Sequence, residues 1–145
     1  MWLGIDVLHA DELARLLDRP WFRAYTYAPE ELAVAGTFGT PRAREFLTGR
    51  FAAKEASLKA LGTGVGAGVT PRQVAVLRAA GGAPYVRLSG AAARRARDLG
   101  MGAITVSITH KQGLVIAAAV AVPADASRPG APTAAGVAAG IAGLI

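Results

Sequence analysis

Residues 40 to 61 carry the signals of one long helix, and that helix constrains the rest of the chain. Thr40-Pro41 is a start signal, an N-cap followed by proline at the first helical position, and Gly62 stands where a helix ends in a left-handed turn. Within it runs Arg50-Phe-Ala-Ala-Lys-Glu-Ala-Ser-Leu-Lys-Ala-Leu-Gly62. Glu55 and Lys59 are four apart and share one face, with Arg50 and Lys54 as further cations nearby. A carboxylate among cations suits a metal–phosphate complex: the acid holds a hard cation and the bases take the remaining phosphate charge. The same spacing also decorates solvated helices as an ordinary ion pair, so the pair gains meaning only from what the chain sets beside it.

Around this helix the sequence alternates strands and helices. Residues 2 to 8 read as a strand that delivers Asp6 near its end. Asp11 caps a helix through about Asp18, with Leu13, Leu16 and Leu17 as its apolar stripe, and Pro20 stops it. Pro29 opens a short helix ending before Gly36. After the long helix, 73 to 78 and 84 to 88 form strands joined by Gly81-Gly82, and Ser89 caps a helix up to Leu99. Two more strands, 103 to 109 and 114 to 122, flank the turn Lys111-Gln112-Gly113. The order βαααββαββ predicts an α+β domain, a mostly antiparallel sheet packed against a long helix. From Pro123 the composition turns to Pro, Ala, Gly and Ser, so the domain is expected over 1–122 and a tail outside the core over 123–145.

With 145 residues the chain is large enough for one core, and with no cysteine it offers no disulfide, thiolate nucleophile or zinc-thiolate site. There is no signal-peptide pattern and no membrane-length apolar run, so a cytoplasmic location is expected. The formal charge of +6 fits a phosphorylated ligand or an acidic protein. The basic residues are dispersed and carry no nucleic-acid motif, so neither nucleic acid nor membrane is an expected partner.

Three further segments bear on chemistry. Gly62-Thr-Gly-Val-Gly-Ala-Gly68 follows a helix and precedes a strand, the reverse of a dinucleotide fingerprint, and it lacks a P-loop ending. It remains a turn whose backbone N–H groups can approach a ligand. Ser107-Ile-Thr-His-Lys111 ends a strand with two hydroxyls, an imidazole and an ammonium, and no Ser-His-Asp relay accompanies it. Asp6 sits in an apolar strand, where an acid needs a partner or an exposed end. Asp6 and Glu55 together would match Mg²⁺, which takes one or two protein carboxylates and fills its shell with water and phosphate oxygens.

In order, Gly4-Ile-Asp6, Arg50-Phe-Ala-Ala-Lys-Glu-Ala-(x)2-Lys-Ala-(x)-Gly62, Gly62-Thr-Gly64 and Ser107-Ile-Thr-His110 resemble the holo-acyl-carrier-protein synthase family, small trimeric 4′-phosphopantetheinyl transferases, over about residues 3 to 122. The resemblance implies transfer of 4′-phosphopantetheine from coenzyme A to a serine of an apo acyl carrier protein, releasing adenosine 3′,5′-bisphosphate. It implies Mg²⁺ held by Asp6 and Glu55, and Lys59 on the pyrophosphate. Arg50 and His110 would reach the 3′-phosphate. Lys54, Gly62, Thr63, Gly64, Pro84 and Thr109 would complete the coenzyme site. Glu55, directly or through a metal-bound water, is expected to take the serine proton. It also implies a homotrimer with active sites between subunits, and an acidic carrier drawn by the basic enzyme. One departure stands out: a position that is commonly Arg in the family is Glu12 here, and arginines fall at 15, 19 and 23 instead. The alternative is a catalytically degenerate homologue that binds carrier or nucleotide as an assembly module.

Overall fold

The computed structural model describes residues 1–64, 66 and 68–125. The elements are β1 (Trp2–His9), α1 (Ala14–Leu17), α2 (Pro20–Thr26), α3 (Pro29–Ala35), α4 (Thr40–Leu61), a 3₁₀ turn (Pro71–Gln73), β2 (Val74–Arg78), β3 (Pro84–Leu88), α5 (Gly90–Asp98), β4 (Met101–Lys111) and β5 (Leu114–Pro123). The expected α+β class and antiparallel pairing are present. A three-stranded sheet runs in the order β1-β5-β4, and β2 pairs with β3 in a separate hairpin. All three pairings are antiparallel. The expected tail beyond Asp125 lies outside the described residues.

Alternation along the strands decides which side chains meet α4. Register aligns Asp6 with Ala117 and Ala117 with Ile108, so one sheet face carries Gly4, Asp6, Ala117, Ala119 and Val106. Against that face α4 presents Ala52, Ala53, Ala56 and Ala60, all buried. Small residues on both sides let backbone approach backbone. At Gly4 the approach is tightest: a Cβ there would lie 1.9 Å from the Ala56 carbonyl oxygen and 2.8 Å from the Ala60 nitrogen. The glycine two residues before Asp6 is therefore a packing requirement.

On the other sheet face, β1 exposes the apolar side chains Leu3, Ile5 and Val7, at 48%, 52% and 57%. On the far side of the core α4 meets α3 and β2 through a buried ion pair. Lys54 Nζ donates to Glu31 Oε2 at 2.6 Å and to the carbonyls of Val74 at 2.6 Å and Pro71 at 3.2 Å. Glu31 also accepts the backbone N–H groups of Ala28 and Val76. Every donor of the ammonium is used, which is the condition under which a buried charge is tolerated.

Three local expectations are corrected. Asp11 does not cap a helix: α1 is a single turn with Leu13 at its N-cap, and the Glu12 carboxylate instead accepts the His9 N–H at 3.0 Å. Pro20 stops nothing alone, because it opens α2 at a first-turn position where its missing N–H costs no helical bond. Four helices thus precede β2 where three were expected. Thr40 is already helical and Gly39 is the N-cap, so Pro41 stands one position later than its start signal suggested.

Candidate active site

The register that places Asp6 on the inner face of β1 turns it toward α4, one turn below Gly62. Lys59 Nζ donates to Asp6 Oδ1 at 2.8 Å and to the Ile5 carbonyl at 2.9 Å. Glu55 lies one helical turn back on the same face, half-buried. Burial, and then the negative charge of Asp6, push its carboxyl above the usual carboxylate range, while Lys59 pulls the other way. Lys59 thus pairs with Asp6, Glu55 lies near enough for both charges to act on its carboxyl, and the three groups together carry surplus negative charge.

That donor set fits Mg²⁺. Among the described residues no cluster of three His, Cys, Asp or Glu side chains occurs. Magnesium needs only one or two carboxylates when a phosphate ligand and water supply the remaining oxygens. A zinc-like cage would need more protein ligands than are here.

The Gly62–Gly64 loop leaves α4 directly after this cluster. Gly62 adopts φ +69° and Gly64 φ +57°, left-handed positions that favour glycine. Within this turn the Thr63 N–H donates to the Leu58 carbonyl at 3.3 Å. The Thr63 hydroxyl is buried without a hydrogen-bond partner among the described residues.

Arg50 and His110 lie elsewhere, at the opposite edge of the sheet. They line a cleft of roughly 620 Å³ with Pro84, Phe46, Arg42, Arg78, Glu45 and Gly49, a volume typical of small-molecule sites. Arg50 stacks over Phe46 at 4.5 Å and Arg42 over Phe38 at 4.6 Å, which fixes both guanidinium planes. The Arg50 Nε is buried with no hydrogen-bond partner among the described residues. Burial, and then the neighbouring Arg78 charge, lower the Arg50 pKa, while Glu31 pulls the other way. Gly49 explains itself here: a Cβ would sit 3.1 Å from the His110 ring, so the glycine in mid-helix makes room for the imidazole.

The residues expected at one site therefore fall into two groups. Asp6, Glu55, Lys59 and Gly62–Gly64 belong to the β1 flank of α4. Arg50, Pro84 and His110 belong to the β4 flank, two strand spacings away, or about 10 Å. Two expected residues join neither group. Lys54 is fully enclosed by Glu31 and two carbonyls, so it has no donor to offer a ligand. Thr109 shares a face with Ser107, but that is the face opposite Ile108 and His110, on the side of the sheet away from α4. Arg42 and Arg78 were missed. Arg42, Phe46 and Arg50 recur every fourth residue and could have been found as one stripe, whereas nothing local marks Arg78.

Comparison with known proteins shows the fold and the family. The family model described as the 4′-phosphopantetheinyl transferase superfamily matches residues 3–119. A holo-[acyl-carrier-protein] synthase of Desulfovibrio desulfuricans is 38% identical over 120 residues, covering 81% of this chain and 94% of the relative. The crystal structure of the synthase from Neisseria meningitidis superposes with a TM-score of 0.74 at 29% identity, over 83% of this chain and 97% of that one. The Bacillus anthracis synthase, solved in complex with CoA (3′,5′-ADP), gives 0.69 at 30% identity, over 83% and 94%. The chain belongs to the 4′-phosphopantetheinyl transferase superfamily, within its holo-acyl-carrier-protein synthase family.

Proposed function

We propose that this enzyme transfers 4′-phosphopantetheine from coenzyme A to a serine hydroxyl of an apo acyl carrier protein, releasing adenosine 3′,5′-bisphosphate. The observation that carries the reading is the cluster on the β1 flank, where Lys59 pairs with Asp6 and half-buried Glu55 lies within range of both charges. Such a cluster is charged for a divalent cation and a pyrophosphate together. The relative solved with CoA (3′,5′-ADP) supports the same ligand class.

Asp6 and Glu55 would hold Mg²⁺, which when bound supplies charge neutralisation on the pyrophosphate. Lys59 is half-exposed on a flexible stem, so its ammonium can follow the charge that builds on the departing bisphosphate. Arg50, Arg42 and His110 would anchor the 3′-phosphate, with the Pro84 backbone beside the nucleoside. Glu55 would take the proton of the attacking serine.

The division into two flanks supports a homotrimer with active sites between subunits. A ligand within one chain would have to cross α4, whereas a ring of heterologous contacts sets the Asp6 flank of one protomer beside the arginine cleft of the next. The apolar face of Leu3, Ile5 and Val7 is the surface such a ring would cover, and Thr109 on that face would meet a neighbouring subunit. An acidic carrier suits the formal charge of +6. Among the described residues no helix is long and apolar enough to cross a membrane. A soluble carrier and coenzyme A as substrates are the ground on which we place the enzyme in the cytoplasm.

The test is incubation of apo carriers from several biosynthetic pathways with coenzyme A, Mg²⁺ and the enzyme. Intact-mass measurement should show one phosphopantetheinyl group added to at least one carrier. No addition to any of them, while calorimetry detects coenzyme A or carrier binding, would instead favour the assembly-module alternative.

A further inference from the structure

α4 ends with its carbonyls directed toward the Gly62–Gly64 loop, and a helix C-terminus carries roughly half a negative charge. On the function proposed above, this is where a pyrophosphate approaches, so the helix end opposes the ligand that Lys59 attracts. Two terminal carbonyls are met inside the turn: Gly62 N–H donates to Lys59 O at 3.1 Å and Thr63 N–H to Leu58 O at 3.3 Å. The Leu61 carbonyl is met from outside. Arg95, on α5, donates its Nε–H to Leu61 O at 3.1 Å. One terminal guanidinium nitrogen then lies 3.7 Å from where a Cβ on Gly62 would stand. Arg95 is half-buried, while Arg94 and Arg97 on the same helix are not. It has no carboxylate partner among the described residues, so its charge is left to the helix end and the loop.

We propose that Arg95 is a positioning residue of the coenzyme A site. It fixes the last turn of α4, and with it the Gly62-Thr63-Gly64 backbone, and it offsets the negative end of the helix that would otherwise face the phosphates. The inference rests on the proposed function, because the ligand whose charge Arg95 accommodates is the one assigned there.

Two substitutions test it. Arg95→Met keeps an apolar stem of similar reach and removes both donor and charge; Arg95→Lys keeps the charge without the planar fork. Coenzyme A affinity is measured by calorimetry on the full chain, beside KM for coenzyme A, KM for the carrier, kcat and the melting temperature. Losing a charge-assisted bond that acts through the loop should weaken coenzyme A about five- to tenfold in Arg95→Met, with KM for coenzyme A rising by the same factor. The carrier KM and kcat should stay within about twofold, and Arg95→Lys should regain at least half of the lost affinity. Unchanged coenzyme A affinity in Arg95→Met, or equal losses in both KM values that track a lower melting temperature, would overturn the role. Wild-type enzyme that binds no coenzyme A would overturn the proposed function itself, and this inference with it.

Discussion

Adding a single methyl group at Gly4 probes the contact on which the site is built. The Cβ of Gly4→Ala would stand 1.9 Å from the Ala56 oxygen, 2.8 Å from the Ala60 nitrogen and 2.9 Å from the Ala56 carbonyl carbon. All three are backbone atoms, so no rotamer change relieves the overlap. To restore an ordinary contact of 3.4 Å or more, β1 must retreat from α4 by about 1.5 Å. That retreat opens the alanine layer beneath it and carries Asp6 away from the α4 backbone, so that Lys59 must reach further to keep its 2.8 Å pair. Overpacking a core commonly costs about 1–3 kcal/mol, and a clash between two backbones belongs at or above the top of that range. For a domain of this size about 3 kcal/mol corresponds to roughly a 10 °C fall in Tm. Calorimetric melting reads the fall, and KM for coenzyme A should rise in the fraction that remains folded. Gly81→Ala is the control, because no atom lies within 4 Å of a Cβ there. A Gly4→Ala enzyme melting within 2 °C of wild type, with full activity, would refute the close approach and the account of Asp6 built on it.

Two other substitutions separate structure from chemistry. Lys54→Met leaves the Glu31 carboxylate buried without its counter-charge, which should cost about 3–5 kcal/mol in denaturant unfolding, and adding Glu31→Gln should recover part of it; a cost below about 1 kcal/mol would show that the pair is not enclosed. Glu55→Gln should raise Tm in metal-free buffer, because it removes a half-buried charge repelled by Asp6. The sign follows from linkage: a carboxyl whose folded pKa is raised binds more protons folded than unfolded, so its ionisation destabilises the fold above that window. The variant's advantage should therefore be small in acid and grow as pH rises through the range just above the ordinary glutamate value; an advantage that shrinks with pH would contradict the environment assigned to Glu55.

The reach of the sequence follows from which interactions are local. Glu55, Lys59 and Gly62 were legible because they lie on one helix and its stop, where spacing fixes which face each occupies. Asp6 was legible as an acid out of place in an apolar strand. Lys54 was misread because its partner Glu31 lies 23 residues away and nothing local distinguishes a buried cation from a solvated one. The separation of Arg50 and His110 from Asp6 depends on the order β1-β5-β4, which places strands distant in sequence at opposite edges. Pro20 was read as a stop when the same geometry also starts a helix, and only packing of Phe22 against Phe51 and Tyr27 selects the second. Resemblance supplied the chemistry; burial and strand order had to come from the fold.

The central claim is that Glu55 and Asp6 place a divalent cation where phosphopantetheine is transferred. Its most direct measurement is the initial rate of mass gain on an apo carrier as Mg²⁺ is titrated, for wild type and Glu55→Gln side by side. Wild type should show a saturable, chelator-reversible rate, and the variant a rate at least 10²-fold lower across the titration. Equal rates for the two enzymes, or a wild-type rate indifferent to Mg²⁺ and to chelator, would contradict it.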